Sequence, residues 1–226
     1  MLKIASEENV RYYEEILYPL QDDVCSLIQN DNFYLSGGTC LSRYYYQHRY
    51  SDDLDFFYDG LEGSKEGFSI ESRDILSRIS QKYRIEIEIN REYFKRAYIH
   101  DRGTVLKIEF VFENYKNIGR RDKINGIYID SKENLCANKL TAVYDRKTFK
   151  DFVDLYYLMN EFSFEQAVLW AKEKMTLLDY EGLSIVFADK TLEGEVLLTK
   201  NIKDYNFNSF KTKLIGHLFN YAENSR

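Results

Sequence analysis

The chain has 226 residues, with 31 Lys/Arg against 37 Asp/Glu for a formal net charge of −6. With 44% apolar residues, 20 Tyr, 15 Phe and a single Pro, it can bury a sizeable core, which excludes a disordered or collagen-like protein. No apolar run approaches the roughly 18 residues of a membrane span, and Met1-Leu2-Lys3-Ile4-Ala5-Ser6-Glu7-Glu8 turns acidic too early for a signal peptide. Cys25, Cys40 and Cys136 are too scattered for a disulfide framework or a zinc knuckle, so a soluble protein of the reducing cytoplasm, away from the membrane, is expected.

Val10, Tyr13, Ile16, Leu17, Leu20, Val24, Leu27 and Ile28 recur at helical spacing and predict a helix from Glu7 to Gln29, bent or split at Pro19. Phe33-Tyr34-Leu35 predicts a short strand running into Ser36-Gly37-Gly38-Thr39. A helix over Leu41–Gln47, a strand over Leu54–Tyr58 and a helix over Ser69–Lys82 follow. Ile85, Ile87 and Ile89 then alternate with Glu86, Glu88 and Asn90, the period of a strand. Tyr93–Ile99 and Val105–Phe112 are two further strands with Gly103 at the turn between them, and Gly126–Ile129 is a short one. From Ser131 the period becomes helical. Asp130 and Glu133 have capping-box spacing, and helices are expected over Ser131–Tyr144, Thr148–Met159 and Phe164–Lys174, with 176–226 also helical. The expectation is an α+β protein: a mixed β-sheet core with flanking helices over 1–130, and a C-terminal helical lobe over 131–226.

Two stretches carry chemistry. Gly37 and Gly38 stand between a strand and a helix, where backbone N–H groups can approach an anion and a helix N-terminus adds favourable partial charge. Some 14 residues on, Asp53 and Asp55 leave the same face of a strand, while Leu54 and Phe56 point to the core. Two adjacent carboxylates repel unless a cation lies between them, and Mg²⁺ favours a few carboxylates together with phosphate oxygens. Glu109, on the face of its strand opposite Ile108 and Phe110, is a candidate third acid; the alternative is one more exposed strand residue. Residues 91–150 hold 14 Lys/Arg and 8 Asp/Glu, a net of +6, so the rest carries −12. That stretch is either an ordinary set of solvated faces or a surface turned to an anion such as a triphosphate or an RNA backbone.

Gly-Gly-Thr-x-Leu at residues 37–41, a spacer, and His48-Arg49-x-Ser51-x-Asp53-Leu54-Asp55-Phe56-Phe57 together resemble the signature of the AbiEii/AbiGii nucleotidyltransferase toxins, within the DNA-polymerase-β-like superfamily. A second block is similar: Lys139-Leu140-x-Ala142, Arg146, then Lys150-Asp151-x-x-Asp154-Leu155, with Lys150 where the family has Arg. The two blocks span about residues 35–158. The resemblance implies a nucleotidyltransferase-like fold and transfer of NMP from an NTP, with Mg²⁺ or Mn²⁺. Gly37, Gly38, Thr39 and Arg49 would hold the nucleotide, and Asp53, Asp55 and Glu109 the metal. Lys139 would contact the triphosphate, with Asp151 and Asp154 completing the catalytic set. It further implies a tRNA acceptor, a separately encoded antitoxin and a role in abortive infection. A protein or small-molecule acceptor, or a non-catalytic binding module on the same fold, are the other readings. On spacing alone, Lys139, Ala142 and Arg146 share a helix face, as do Asp151 and Asp154. His48 is a base or a structural contact. Tyr44-Tyr45-Tyr46 stack on a nucleobase or pack in the core, and Cys40 and Trp170 are core residues.

Overall fold

The structure, a computed structural model, describes residues 2–146, 148–188, 194–199, 209–210 and 212–216. A short strand, β1 (Leu2–Ile4), opens the chain. The first expected helix forms as three joined pieces: α1 (Glu7–Arg11), a π-helical turn (Tyr12–Leu17) and α2 (Tyr18–Ser26). Ser6 and Asn9 form a capping box at its start. Pro19 lies in the first turn of α2, where a missing N–H costs little, and the widened turn stands immediately ahead of it.

β2 (Phe33–Ser36) runs directly into α3 (Gly37–Cys40), continued by a second π-helical stretch (Leu41–Tyr46). This helix begins at Gly37 and not at the expected Leu41, so both glycines lie in its first turn. It stops at Gln47, which adopts a left-handed conformation (φ 50°). β3 (Leu54–Asp59) and α4 (Lys65–Ser80) follow. α4 starts ahead of the expected Ser69 because the Ser64 hydroxyl accepts the Gly67 N–H at 3.0 Å and caps it. The alternating stretch becomes β4 (Arg84–Asn90), β5 (Phe94–Asp101) and β6 (Thr104–Glu113). Arg102 and Gly103, at φ 45° and 87°, make the two-residue turn between β5 and β6. Asn125 and Gly126, at φ 51° and 87°, make another, joining β7 (Asp122–Ile124) to β8 (Ile127–Ile129). Gly126 therefore belongs to a turn rather than to a strand.

α5 (Lys132–Arg146), α6 (Phe149–Leu158) and α7 (Phe164–Lys174) match the three expected helices closely. Beyond them come α8 (Tyr180–Ala188) and β9 (Val196–Leu198), the latter a strand where helix was expected. Much of the helical expectation over 200–226 lies outside the described residues.

The chain divides into two units: Ala5–Ser131, and β1 together with the described residues from Lys132 onward. β1 joins the helical unit by pairing in parallel with β9, Leu2 opposite Val196 and Ile4 opposite Leu198. In the α/β unit, seven strands form one mixed sheet in the order β4-β5-β6-β3-β2-β8-β7. Phe33, Phe56, Tyr58 and Phe110 line the buried face and meet Phe68 of α4, with ring centroids 5.0 Å apart for Phe33–Tyr58, 5.4 Å for Phe33–Phe110 and 5.7 Å for Tyr58–Phe68. The same strands send Ser36, Asp55 and Glu109 to the opposite face. In the helical unit, Phe152 and Phe164 pack edge-on to Phe187 at 5.9 and 6.1 Å. Trp170 is only half-buried and meets Phe162 edge-on at 5.0 Å, at the margin of the core.

Phe110 is fully buried at the centre of the aromatic layer. Phe110→Ala is expected to destabilise the α/β unit by about 3–5 kcal/mol, read as a lower denaturation midpoint. A loss below about 1 kcal/mol would show that the layer is not close-packed there.

Candidate active site

Strand register sets one row of side chains across the face of the sheet opposite the aromatic layer. Ser36 on β2 pairs with Asp55 on β3, Asp55 pairs with Glu109 on β6, and Glu109 pairs with Arg96 on β5. Asp53 precedes β3 by one residue and, two positions before Asp55, shares its face. Lys107, two before Glu109, stands beside it.

The carboxylates in this row have cation partners. Lys107 Nζ lies 2.9 Å from Asp53 Oδ2 and 3.2 Å from Glu109 Oε1. Arg96 donates Nε to Glu109 at 2.6 Å and Nη1 to Glu88 at 3.1 Å. Burial alone would raise the Glu109 carboxyl, but Lys107 and Arg96 outweigh it and hold Glu109 below the usual carboxylate range. Burial likewise works against the Lys107 ammonium, yet Asp53, Glu109 and Asp55 raise its pKa.

The glycine pair packs against the ends of this row. A Cβ on Gly37, which has φ +69°, would stand 2.3 Å from Asp55 Oδ2. A Cβ on Gly38 would stand 2.1 Å from Arg49 Nη2 and 3.3 Å from Ser51 Oγ. Arg49 is buried and donates Nη1 to the Tyr50 carbonyl at 3.0 Å. The Thr39 hydroxyl meets Ser51 Oγ at 2.9 Å and donates to the Asp53 carbonyl, so it ties α3 to the segment that carries Asp53. Ser36 donates its hydroxyl to Asp130 Oδ2 at 2.6 Å.

A second support comes from the first helix, in residues that the motif did not mark. Tyr13 Oη donates to Asp52 Oδ1 at 2.6 Å, and Gln21 Nε2 donates to the Ser51 and Asp52 carbonyls at 3.2 and 3.1 Å. Tyr13 stacks on Tyr50 at 4.3 Å between ring centroids, and the Arg43 guanidinium lies 4.3 Å above the Tyr18 ring. Helical spacing marks Tyr13 as an inward residue, but nothing local tells that its hydroxyl holds the turn before Asp53. His48 is buried and edge-on to Tyr46 at 5.9 Å, and Tyr45 Oη donates to the Asp130 carbonyl at 2.7 Å. The buried Cys40 thiol points to the Asp130 carbonyl at 3.9 Å.

Asp53 and Asp55 fit a divalent cation. They present two carboxylates on one face beside a glycine whose missing side chain leaves Asp55 its place, and Mg²⁺ commonly uses one or two carboxylates with substrate phosphates. Glu109 Oε1 accepts from both Arg96 and Lys107, and the same Lys107 ammonium reaches Asp53 Oδ2. Among the described residues, no three His, Cys, Asp or Glu side chains are grouped to hold a metal.

In the helical unit, the second block forms a separate ion cluster. Lys139 Nζ lies 2.9 Å from Asp151 Oδ1 and 2.6 Å from Asp154 Oδ2, all three buried. Arg146 grips both oxygens of Asp151, Nε at 2.8 Å and Nη2 at 3.0 Å, and the Thr148 hydroxyl donates to the same carboxylate. Burial pushes Asp151 up, and Lys139, Arg146 and Thr148 together hold it far below the usual range. This cluster joins α5 to α6.

Many cations of the positive stretch pair with acids of this chain. Besides Lys107, Arg96, Lys139 and Arg146, Arg121 meets Asp59 at 2.8 Å and Lys123 meets Asp31 at 2.6 Å. Lys132 pairs with Glu161. Lys95 is buried and donates to Asn90 Oδ1 at 2.6 Å.

A mixed sheet with a Gly-Gly helix start beside two carboxylates on one face, Asp53 and Asp55, is the arrangement expected of a nucleotidyltransferase fold. The nucleotidyl transferase AbiEii toxin family, of type IV toxin–antitoxin systems, matches residues 24–218, and the chain belongs to that family of nucleotidyltransferases. It is 30% identical over 174 residues to protein aq_aa25 of Aquifex aeolicus (strain VF5), covering 76% of this chain and 77% of that one. Its fold is similar to that of JHP933 from Helicobacter pylori, with a TM-score of 0.57 and 18% identity over 98% of this chain and 97% of that one. A second H. pylori crystal structure has a TM-score of 0.60 and 18% identity over 98% of this chain and 99% of its own. Among the described residues, no helix is long and apolar enough to cross a membrane.

Gly37→Ala combines a positive-φ strain of about 1–2 kcal/mol with the collision against Asp55, whereas a Cβ on Gly126 meets only open space. Gly37→Ala is therefore expected to lower the denaturation midpoint more than Gly126→Ala does; equal losses would remove the contact with Asp55 as a constraint. Asp151→Asn leaves Lys139 and Arg146 short of a buried partner and is expected to cost about 3 kcal/mol at pH 7. Because folding lowers the Asp151 pKa, its contribution is present above the unfolded pKa of about 4 and is lost as pH falls below it. The gap in Tm between wild type and Asp151→Asn should thus narrow in acid; a gap constant from pH 7 to pH 3 contradicts this.

Proposed function

We propose that this chain is a toxin that transfers NMP from an NTP to the 3′ end of tRNA in the presence of Mg²⁺, and that a separately encoded antitoxin opposes it. The observation that carries this reading is the placement of Asp55 between Ser36 and Glu109 in strand register, against the glycine that starts α3. The nucleotide's phosphates are read onto the first turn of α3, Gly37–Thr39, whose N–H groups have no partner within the helix. Arg49, behind Gly38, adds positive charge to that turn.

Asp53 and Asp55 would hold the divalent cation, which when bound supplies neutralisation of phosphate charge. The chain's own residues orient the reaction. Gly37 fixes Asp55, while Thr39, Tyr13 and Gln21 fix the backbone ahead of Leu54. A hydroxyl oxygen of the acceptor loses its proton to solvent and bonds to the α-phosphorus, the bond from that phosphorus to its bridging oxygen breaks, and pyrophosphate leaves. Lys139, Asp151 and Asp154 join the proposed catalytic set through the match with the family's second block. Lys139→Met tests which role dominates: a phosphate contact predicts lost transfer at unchanged Tm, and a purely structural cluster predicts a lower Tm first.

Incubation with Mg²⁺, each of four labelled NTPs in turn and total cellular RNA or protein extract is expected to label a tRNA-sized band. Asp53→Asn and Asp55→Asn should each reduce that label by at least about 100-fold, equivalent to about 2.7 kcal/mol of transition-state stabilisation. Label in protein instead would keep the chemistry and replace the acceptor. Label that survives both substitutions would place the chemistry elsewhere.

A further inference from the structure

Lys107 lies outside both sequence motifs, yet it occupies the position between two of the three acids. Its ammonium is 2.9 Å from Asp53 and 3.2 Å from Glu109. A divalent cation shared by those two carboxylates would compete with the Lys107 ammonium for the same space. The position of Lys107 is built in by register. It pairs with Tyr98 on β5, two steps from the Glu109–Arg96 pair, and so projects on the same face. Glu109 is in turn held from its other side by Arg96, whose Nη1 is anchored on Glu88. Glu109 Oε1 thus accepts from two fixed cations at once, and Asp55 adds its field to the same ammonium.

We propose that Lys107 is the site's resident cation and takes the place of a second metal, so that the site holds a single divalent ion on Asp53 and Asp55. Glu109 is then a positioning residue that holds Lys107, not a metal ligand. The inference rests on the nucleotidyltransferase reading of this site and deepens it. It also explains why a third acid can stand in the row without forming a three-carboxylate group.

The test is Mn²⁺ binding to the full-length protein without nucleotide, followed by loss of the electron-paramagnetic-resonance signal of free Mn²⁺. Thermal melting of each variant confirms that it is folded. Wild type is expected to bind one Mn²⁺. Lys107→Met, which keeps the length and removes the charge, should bind two, and Lys107→Arg should bind one. Glu109→Gln should keep the affinity for the single ion within about threefold, whereas Asp55→Asn should weaken it at least tenfold. Two ions on wild type, a single ion on folded Lys107→Met, or a tenfold loss in Glu109→Gln would each overturn the role given to Lys107 and leave the metal-dependent reading intact. No Mn²⁺ on folded wild type at millimolar metal would overturn both. Should Lys107→Met fail to fold, the wild-type stoichiometry and the Glu109→Gln affinity still decide.

Discussion

Three carboxylates on one face of a sheet cannot stand side by side without positive charge among them. Strand register puts Asp55 and Glu109 opposite each other, and the side-chain period of two adds Asp53 to the same face. Like charges at that spacing are destabilising, and partial burial removes much of the solvent that would screen them. Lys107 and Arg96 come from the same two registers and supply the compensating charge at 2.9 and 2.6 Å. The remaining features of the site follow from keeping this row in place. Gly37 must lack a side chain, Thr39 must reach the Asp53 carbonyl, and the first helix must present Tyr13 and Gln21 to the turn before Asp53.

The helical unit meets a similar constraint by a different route. Lys139, Asp151 and Asp154 are all buried, so each charge is compensated inside the protein, and the Arg146 fork adds two geometrically fixed hydrogen bonds to Asp151. A buried pair of this kind adds little net stability over apolar packing, but loss of one member is costly. The row around Asp53 differs because Asp53 and Asp55 remain partly open to solvent. Open carboxylates can take a metal from solvent, and sealed ones cannot do so without unfolding their surroundings. The open row is therefore suited to taking up a metal, whereas the sealed cluster fixes α5 on α6.

The motif around residues 36–57 made the site's backbone legible, because Gly-Gly and Asp-x-Asp each have a local physical meaning. The three helices from Lys132 to Lys174 were equally legible from their periodic apolar faces. What escaped depends on partners distant in the chain. β1 and β9 have three residues each and gain their hydrogen bonds only by pairing across nearly the whole sequence. β7 is short and polar, and its signal lay in the Asn-Gly turn after it. The π-helical stretches leave no mark in a pattern read at 3.6 residues per turn. Lys107 and Arg96 read as ordinary strand cations, since alternation tells which face they take but not which strand lies beside them.

The same limit explains the central run of positive charge. A net of +6 over residues 91–150 suggests a surface turned to an anion, but Arg96, Lys107, Arg121, Lys123, Lys139 and Arg146 all pair with acids of this chain. Arg91, Arg102, Lys116, Arg120 and Lys150 are left exposed. Affinity for a polyanion grows with the number of phosphates that a protein neutralises, so charge already matched internally contributes little to capture of an acceptor. On the proposed function, selectivity for the acceptor would then rest on its fit beside Asp53 and Asp55 more than on a long-range field. That division suits the transfer to a tRNA 3′ end proposed above, in which one terminus is modified and then released.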